Sequence, residues 1–191
     1  MKITEKHKMS QFVYLKSVIA LDADFDKKVL ACGLPSMVGK QKVKQPTEIA
    51  LQHMMLAWNI KNDEDSLIAT AKAFGLNSNF ILTYPLIDFY RLMLELTDVA
   101  EKAGKMFEKL KRTISDQKIK EALEKMKNNN PRAIFVEIMK ASEGAYTQEQ
   151  AADMSWLLAY DILEAQTAEF DRAEAINKIQ EERMKNGTKR N

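Results

Sequence analysis

Nine apolar residues dominate what this chain can become. Leu86, Phe89, Met93, Leu96, Ala100, Ala103, Phe107, Leu110 and Ile114 follow one another at alternating spacings of three and four. That rhythm puts all nine on one face of an α-helix, as the a and d positions of a heptad repeat. A strand cannot use it, because strand side chains alternate with a period of two. Pro85 stands at the start of the helix so defined, where its fixed φ fits and its missing N–H costs nothing. The middle of the seam is small, with Gly104 beside Ala100 and Ala103, so a neighbouring backbone can approach closely. Such a face requires cover, either from the same chain as core or from a partner as an interface.

The rest of the sequence keeps the helical period, with Gly, Pro and Asn between periodic segments. A first helix is expected after Ser10 as N-cap, burying Phe12, Leu15, Val18 and Ile19. A second carries Phe25, Val29 and Cys32 and ends at Gly33 and Pro35. Residues 33–46 read as a solvated connecting loop with Lys40, Lys42 and Lys44. A third helix is expected over 47–60 and a fourth over 63–74, stopped by Gly75. Beyond the seam, Ser115 caps a helix with Ile119, Leu123 and Met126. The break Asn128-Asn129-Asn130-Pro131 precedes a short helix with Ile134, Phe135, Ile138 and Met139, ended by Gly144. Thr147-Gln148-Glu149-Gln150 fits a capping box and opens a long helix. It buries Met154, Leu157, Leu158, Ile162 and Leu163, then thins to a stripe of Phe170, Ala173, Ile176 and Ile179 before a fraying tail over 186–191. The expectation is an all-α, multi-helix bundle.

Length and charge refine that picture. A helix over 84–114 would be roughly 46 Å long and one over 148–185 roughly 57 Å. A compact chain of 191 residues is only about 42 Å across, so two such helices imply an elongated molecule. We therefore expect a helical domain over 1–145 and a long helix within 146–191 that packs on it or projects from it. Residues 102–127 hold nine Lys or Arg against four Asp or Glu, whereas 143–182 hold ten acids against two bases. Opposite faces of that kind can pair within one molecule or between copies.

Several function classes fall away. The net charge is +2, which gives no overall nucleic-acid or membrane signature. Charge interrupts every apolar stretch within about a dozen residues, short of the roughly 20 that a membrane span needs. The first residues lack the apolar core of a secretory signal, and one cysteine cannot close an internal disulfide, so a reducing cytoplasm is expected. Asp22, Asp24 and Asp26 begin like a calcium loop, but Lys27 and Gly33 stand where Gly and Glu are needed; the three acids suit the start of a helix instead. From Gly33 to Gln41 a phosphate-binding loop is one residue too long and ends in Gln rather than Ser or Thr. The histidines, His7 and His53, lie in no metal-ligand spacing, and Cys32 has no base near it in sequence. We expect His53 to be a partly buried structural imidazole and Cys32 a small core residue. No catalytic residue, metal site or cofactor is implied.

What remains is binding. The seam residues from Leu86 to Leu110 are candidates for a protein interface or self-association, as are Trp156 and Tyr160, one turn apart on the last helix, though both also suit a core. Nucleic acid is the alternative partner. Ala71, Gly75 and Ile81 have the intervals of a helix-turn-helix whose recognition helix would start near Ser78, with Lys40, Lys42 and Lys44 as phosphate contacts. Pro85 would break that helix.

Phe74-Gly75-Leu76, Ile81-Leu82 and Pro85-Leu86-Ile87-Asp88-Phe89, together with residues 146–156 and Tyr160-Asp161-Ile162-Leu163, resemble small helical assembly proteins of tailed bacteriophages. The resemblance is to tail assembly chaperones in particular, and head-tail connectors belong to the same broad class. The resemblance covers under a quarter of the chain. It implies a helical fold, no catalysis, binding to another virion protein, and a place in the cytoplasm or the virion.

Overall fold

The computed structural model describes residues 3, 6–12, 15, 16, 19, 24–110 and 133–187. In chain order its elements are α1 (Phe25–Ala31), β1 (Met37–Val38), β2 (Gln41–Lys42), α2 (Leu51–Trp58), α3 (Asp63–Ala73), α4 (Leu86–Lys109), α5 (Ala133–Ala141), α6 (Gln148–Asp153) and α7 (Trp156–Gly187). Short 3-10 helices cover Met9–Gln11, Pro46–Glu48 and Ser78–Thr83. Among the described residues the fold is all-α apart from one hairpin, and it contains the two long helices expected. At 24 and 32 residues, α4 and α7 are about 36 and 48 Å long. The expected helix with Ile119, Leu123 and Met126, the break before Pro131, and the positions of Val18 and Ile114 lie outside the described residues. The chain divides into two compact units, Met1–Met106 with Ala152–Leu157, and Phe107–Ala151 with Leu158–Asn191. The boundary expected between residues 145 and 146 falls inside the second unit.

In the first unit the seam of α4 is interior. Leu86, Phe89, Leu96, Ala100 and Ala103 are each at most 8% exposed, and Leu92 is fully buried with them. Met93 is half-buried. The small middle of the seam seats a side chain rather than a neighbouring backbone: the Trp58 indole lies over it and its Nε1 donates to the Ala100 carbonyl at 2.8 Å. A Cβ on Gly104 would still stand 3.6 Å from that nitrogen, so the fit is ordinary van der Waals contact. Pro85 sits just before the helix, and its carbonyl accepts from Phe89 N at 3.1 Å. The extended N-terminal chain satisfies the next orphan donor, with Leu86 N bonded to the His7 carbonyl at 2.8 Å.

α3 forms where expected because Asn62 caps it, accepting from Asp65 N at 2.8 Å, with three acids in its first turn. It stops at Gly75, whose φ of +72° is left-handed. That backbone favours Gly, and the Lys44 side chain passes 3.2 to 3.3 Å from where a Cβ would be, so it would have to give way by a few tenths of an ångström to any other residue.

Four expectations for this unit are corrected. Residues 33–46 are not a solvated connector: β1 and β2 form a hairpin that buries Val38 and, just beyond it, Val43. Gly39 takes φ +61° at the first turn position, as a two-residue hairpin of that type needs. The helix expected over 47–60 starts only at Leu51, because Ile49 and Ala50 are extended and pair with the chain at Ser155. Ser10 lies inside a 3-10 helix instead of capping one, although Phe12 and Leu15 are buried as expected. Cys32 is exposed at the end of α1, because the buried face of that short helix is Phe25 and Val29.

The acids at the start of α1 also act differently from simple caps. Asp24 occupies the N-cap without a side-chain cap bond and pairs with Lys27 at 3.2 Å, while Asp26 accepts from the Tyr90 hydroxyl at 2.9 Å. Tyr90 is flanked by Phe12 and Phe25, and burial together with the Asp26 carboxylate pushes its phenol up to about 12.

In the second unit α5 buries Phe135 and Ile138. The capping box at Thr147 is formed as the sequence predicts: Gln150 N donates to Thr147 Oγ1 at 3.2 Å, and Thr147 N to Gln150 Oε1 at 2.8 Å. It opens only the six-residue α6. The single helix expected over 148–185 is broken at Met154 and Ser155, whose neighbourhood pairs with residues 49–51: Leu51 N donates to the Met154 carbonyl at 2.8 Å and Trp156 N to the Ile49 carbonyl at 3.0 Å. Backbone pairing with a distant segment outcompetes helix continuation there. From Ala168 to Met184 every residue of α7 is exposed.

Candidate functional site

Three helix segments of the second unit enclose an apolar cavity of about 490 Å³. Phe107 comes from the end of α4 and Leu110 from just beyond it, Ile134 and Glu137 from α5, and Leu163, Gln166, Thr167 and Phe170 from α7. The α7 residues recur at spacings of three and one, so they share one face. Ile134 and Glu137 are one turn apart on α5 in the same way. The cavity lies in the volume range of small-molecule pockets, yet it is an open groove lined mostly by hydrocarbon, with few convergent polar groups. The Thr167 hydroxyl donates to the Leu163 carbonyl at 2.8 Å, a bond within α7. Glu137 pairs with Lys140 at 3.1 Å.

The Phe107 wall is braced. Its ring meets Tyr160 edge-on, with centroids 5.7 Å apart and planes at 82°. The Tyr160 hydroxyl donates to Glu164 Oε1 at 2.8 Å, and that hydrogen bond raises its pKa. Chemically the groove can desolvate an apolar side chain or helix face. Among the described residues no group of His, Cys, Asp and Glu is arranged to hold a metal ion.

The candidate interface residues thus fall into different environments. Leu86, Phe89, Leu96, Ala100 and Ala103 are core of the first unit and out of a partner's reach, and Met93 is half-buried. Phe107 and Leu110, the last described members of the seam, line the groove. Trp156 is buried in the first unit, where its Nε1 donates to the Pro46 carbonyl at 2.9 Å, an anchor within the chain. Tyr160, also buried, supports the groove through Phe107. Sequence reasoning missed Ile134, Glu137, Leu163, Gln166, Thr167 and Phe170 as parts of one site. The available signal was the mixed apolar and polar face of residues 163–170, which a fully buried helix would not carry.

Lys40, Lys42 and Lys44 are exposed on and beside the hairpin. The α-helical recognition element expected near Ser78 is a six-residue 3-10 helix, about 12 Å long, followed by extended Tyr84 and then α4. Phe80 and Leu82 are its exposed large side chains. His53 is half-buried, as expected, and its Nδ1 has no hydrogen-bond partner among the described residues. Burial, helped by the charges of Lys44 and Lys72, holds the imidazole below its ordinary range; Asp153 pulls the other way.

No helix among the described residues is long and apolar enough to cross a membrane. No family model, curated protein or solved structure matches this chain.

Proposed function

We propose that this chain is a non-catalytic interaction protein that receives an apolar segment of a protein partner in the groove between α4, α5 and α7. The observation that carries this reading is a hydrocarbon-lined groove on three helices, continued by a helix that stays exposed for over four turns. The resemblance to tail assembly chaperones and head-tail connectors supplies a setting: the partner is another virion protein, and the chain works by holding it. The nucleic-acid reading has lost its recognition helix to the short 3-10 segment before α4.

The test is co-purification of the tagged full chain from its native cells, wild type beside Leu163→Glu, with absorbance recorded at both protein and nucleic-acid wavelengths. A discrete protein partner lost only in the variant supports the proposal. Identical protein profiles contradict it, and so does salt-sensitive nucleic acid in both samples.

A further inference from the structure

Around the hairpin the first unit is short of carboxylates. Residues 33–47 and 66–87 hold four lysines, Lys40, Lys42, Lys44 and Lys72, and no Asp or Glu. The two segments are bonded to each other: Lys44 N donates to the Phe74 carbonyl at 3.1 Å and Asn77 N to Gln41 Oε1 at 2.7 Å. The Lys44 stem lies across Gly75, three residues beyond Lys72 in the last turn of α3. All four lysines are exposed, and none forms an ion pair among the described residues. His53, on α2, stands where two of these charges converge. Burial disfavours its charged form, Lys44 and Lys72 both add to that effect, and Asp153 opposes it more weakly, so the field at the ring is positive. Lys40 and Lys42 are not among the charges felt there. Asp153 is engaged elsewhere, its Oδ1 accepting from Gln52 Nε2 at 2.5 Å. The imidazole is half-buried, and its Nδ1 is buried with no hydrogen-bond partner among the described residues. Two unpaired ammonium groups converging on an unpartnered ring are a set that an anion would complete.

We infer that Lys44 and Lys72 hold a small, doubly charged oxyanion of the phosphate class, with His53 beside it. The two ammonium groups match its charge, and each is a compact cationic donor of the kind that binds phosphate. Two lysines focused on one ring suit a single anion rather than a nucleic acid, which needs phosphate contacts spread along a strand. A bound dianion offsets the field of the two lysines and favours the charged imidazole. The anion and a proton on His53 therefore help each other to bind.

The test is NMR of the full chain, whose only imidazoles are His7 and His53, in sodium sulfate against sodium chloride at matched ionic strength. Sulfate stays doubly charged throughout, so the anion itself takes up no proton. Sulfate is expected to raise the pKa of His53, with the His7 signals as the reference, and its saturable binding should tighten about fivefold from about pH 7.5 to about pH 5.5. Inorganic phosphate should compete for the same site. The double variant Lys44→Gln with Lys72→Gln should abolish both effects, whereas Lys40→Gln with Lys42→Gln should keep them; all four sites are exposed. Identical His53 titrations of the wild type in the two salts overturn the inference, as does a sulfate effect that survives Lys44→Gln with Lys72→Gln. A single-stranded oligonucleotide that displaces sulfate, and whose binding falls equally in both double variants, would make the patch a nucleic-acid surface and would also overturn it.

Discussion

The two long helices make opposite use of their apolar residues. α4 hides its seam, with Leu86, Phe89, Leu92 and Ala103 at 0% exposure, whereas α7 beyond Thr167 leaves Phe170, Ile176 and Ile179 half in water and Met184 at 70%. The difference lies in register. Alternating spacings of three and four keep the α4 residues on one line, so a single set of neighbours covers them all. The α7 residues Phe170, Ala173, Ile176 and Ile179 repeat every three, and each step rotates the row by about 60° around a helix of 3.6 residues per turn. No one neighbour can cover such a row. The strongest apolar repeat in the sequence therefore became core, and the face left in water is the one with the weaker pattern.

The largest effect that would break this contrast is at Phe89. Phe89→Ala should destabilise the first unit by about 3–5 kcal/mol in urea unfolding, because the ring is fully buried and stacked on Tyr84 at 5.7 Å. A change in oligomeric state at unchanged stability would mean that the seam serves as an interface. Gly75→Ala should cost about 1–2 kcal/mol, from a left-handed backbone and the crowding of Lys44. Trp156→Phe keeps most of the packing and removes the bond to Pro46, which should lower stability by about 1 kcal/mol.

Lowering the pH is a gentler probe of the first unit. The folded state holds the His53 pKa below the unfolded value of about 6.5, so it binds fewer protons there than the unfolded chain does. The contribution of the neutral imidazole is complete above that pH and is lost as pH falls through the folded value. Unfolding midpoints should drop on acidification, and His53→Gln should flatten that part of the profile; a midpoint rising toward acid would reverse the sign. The smallest change is expected at Ile176 and Ile179, where substitution by Ser should stay within about 0.5 kcal/mol in the free chain. A loss of 2 kcal/mol or more would place them in a core.

Much of the fold could be read from spacing alone. The capping box at Thr147, the span of α3 up to its stop at Gly75 and the shared face of the α4 seam all follow from local chemistry, whereas the seam's place in a core rather than an interface does not. What escaped notice depends on partners distant in sequence. Ile49 and Ala50 are extended because they pair with Ser155 across a hundred residues, and the same pairing cuts the last helix at Met154. Val38 and Val43 are too few apolar residues to announce a strand, yet a Gly at the right turn position suffices for a hairpin. The groove was illegible for the same reason: Leu110, Ile134 and Leu163 share no motif and meet only in space.

Hydrogen–deuterium exchange on the free full chain, read by mass spectrometry, tests the contrast between the two helices most directly. The account predicts the slowest amides in α4 between Phe89 and Ala103 and fast exchange in α7 beyond Phe170, where the described side chains through Met184 are exposed. Protection over 171–184 equal to that of α4 would mean that this stretch is already covered, and would contradict the claim that α7 waits for a partner.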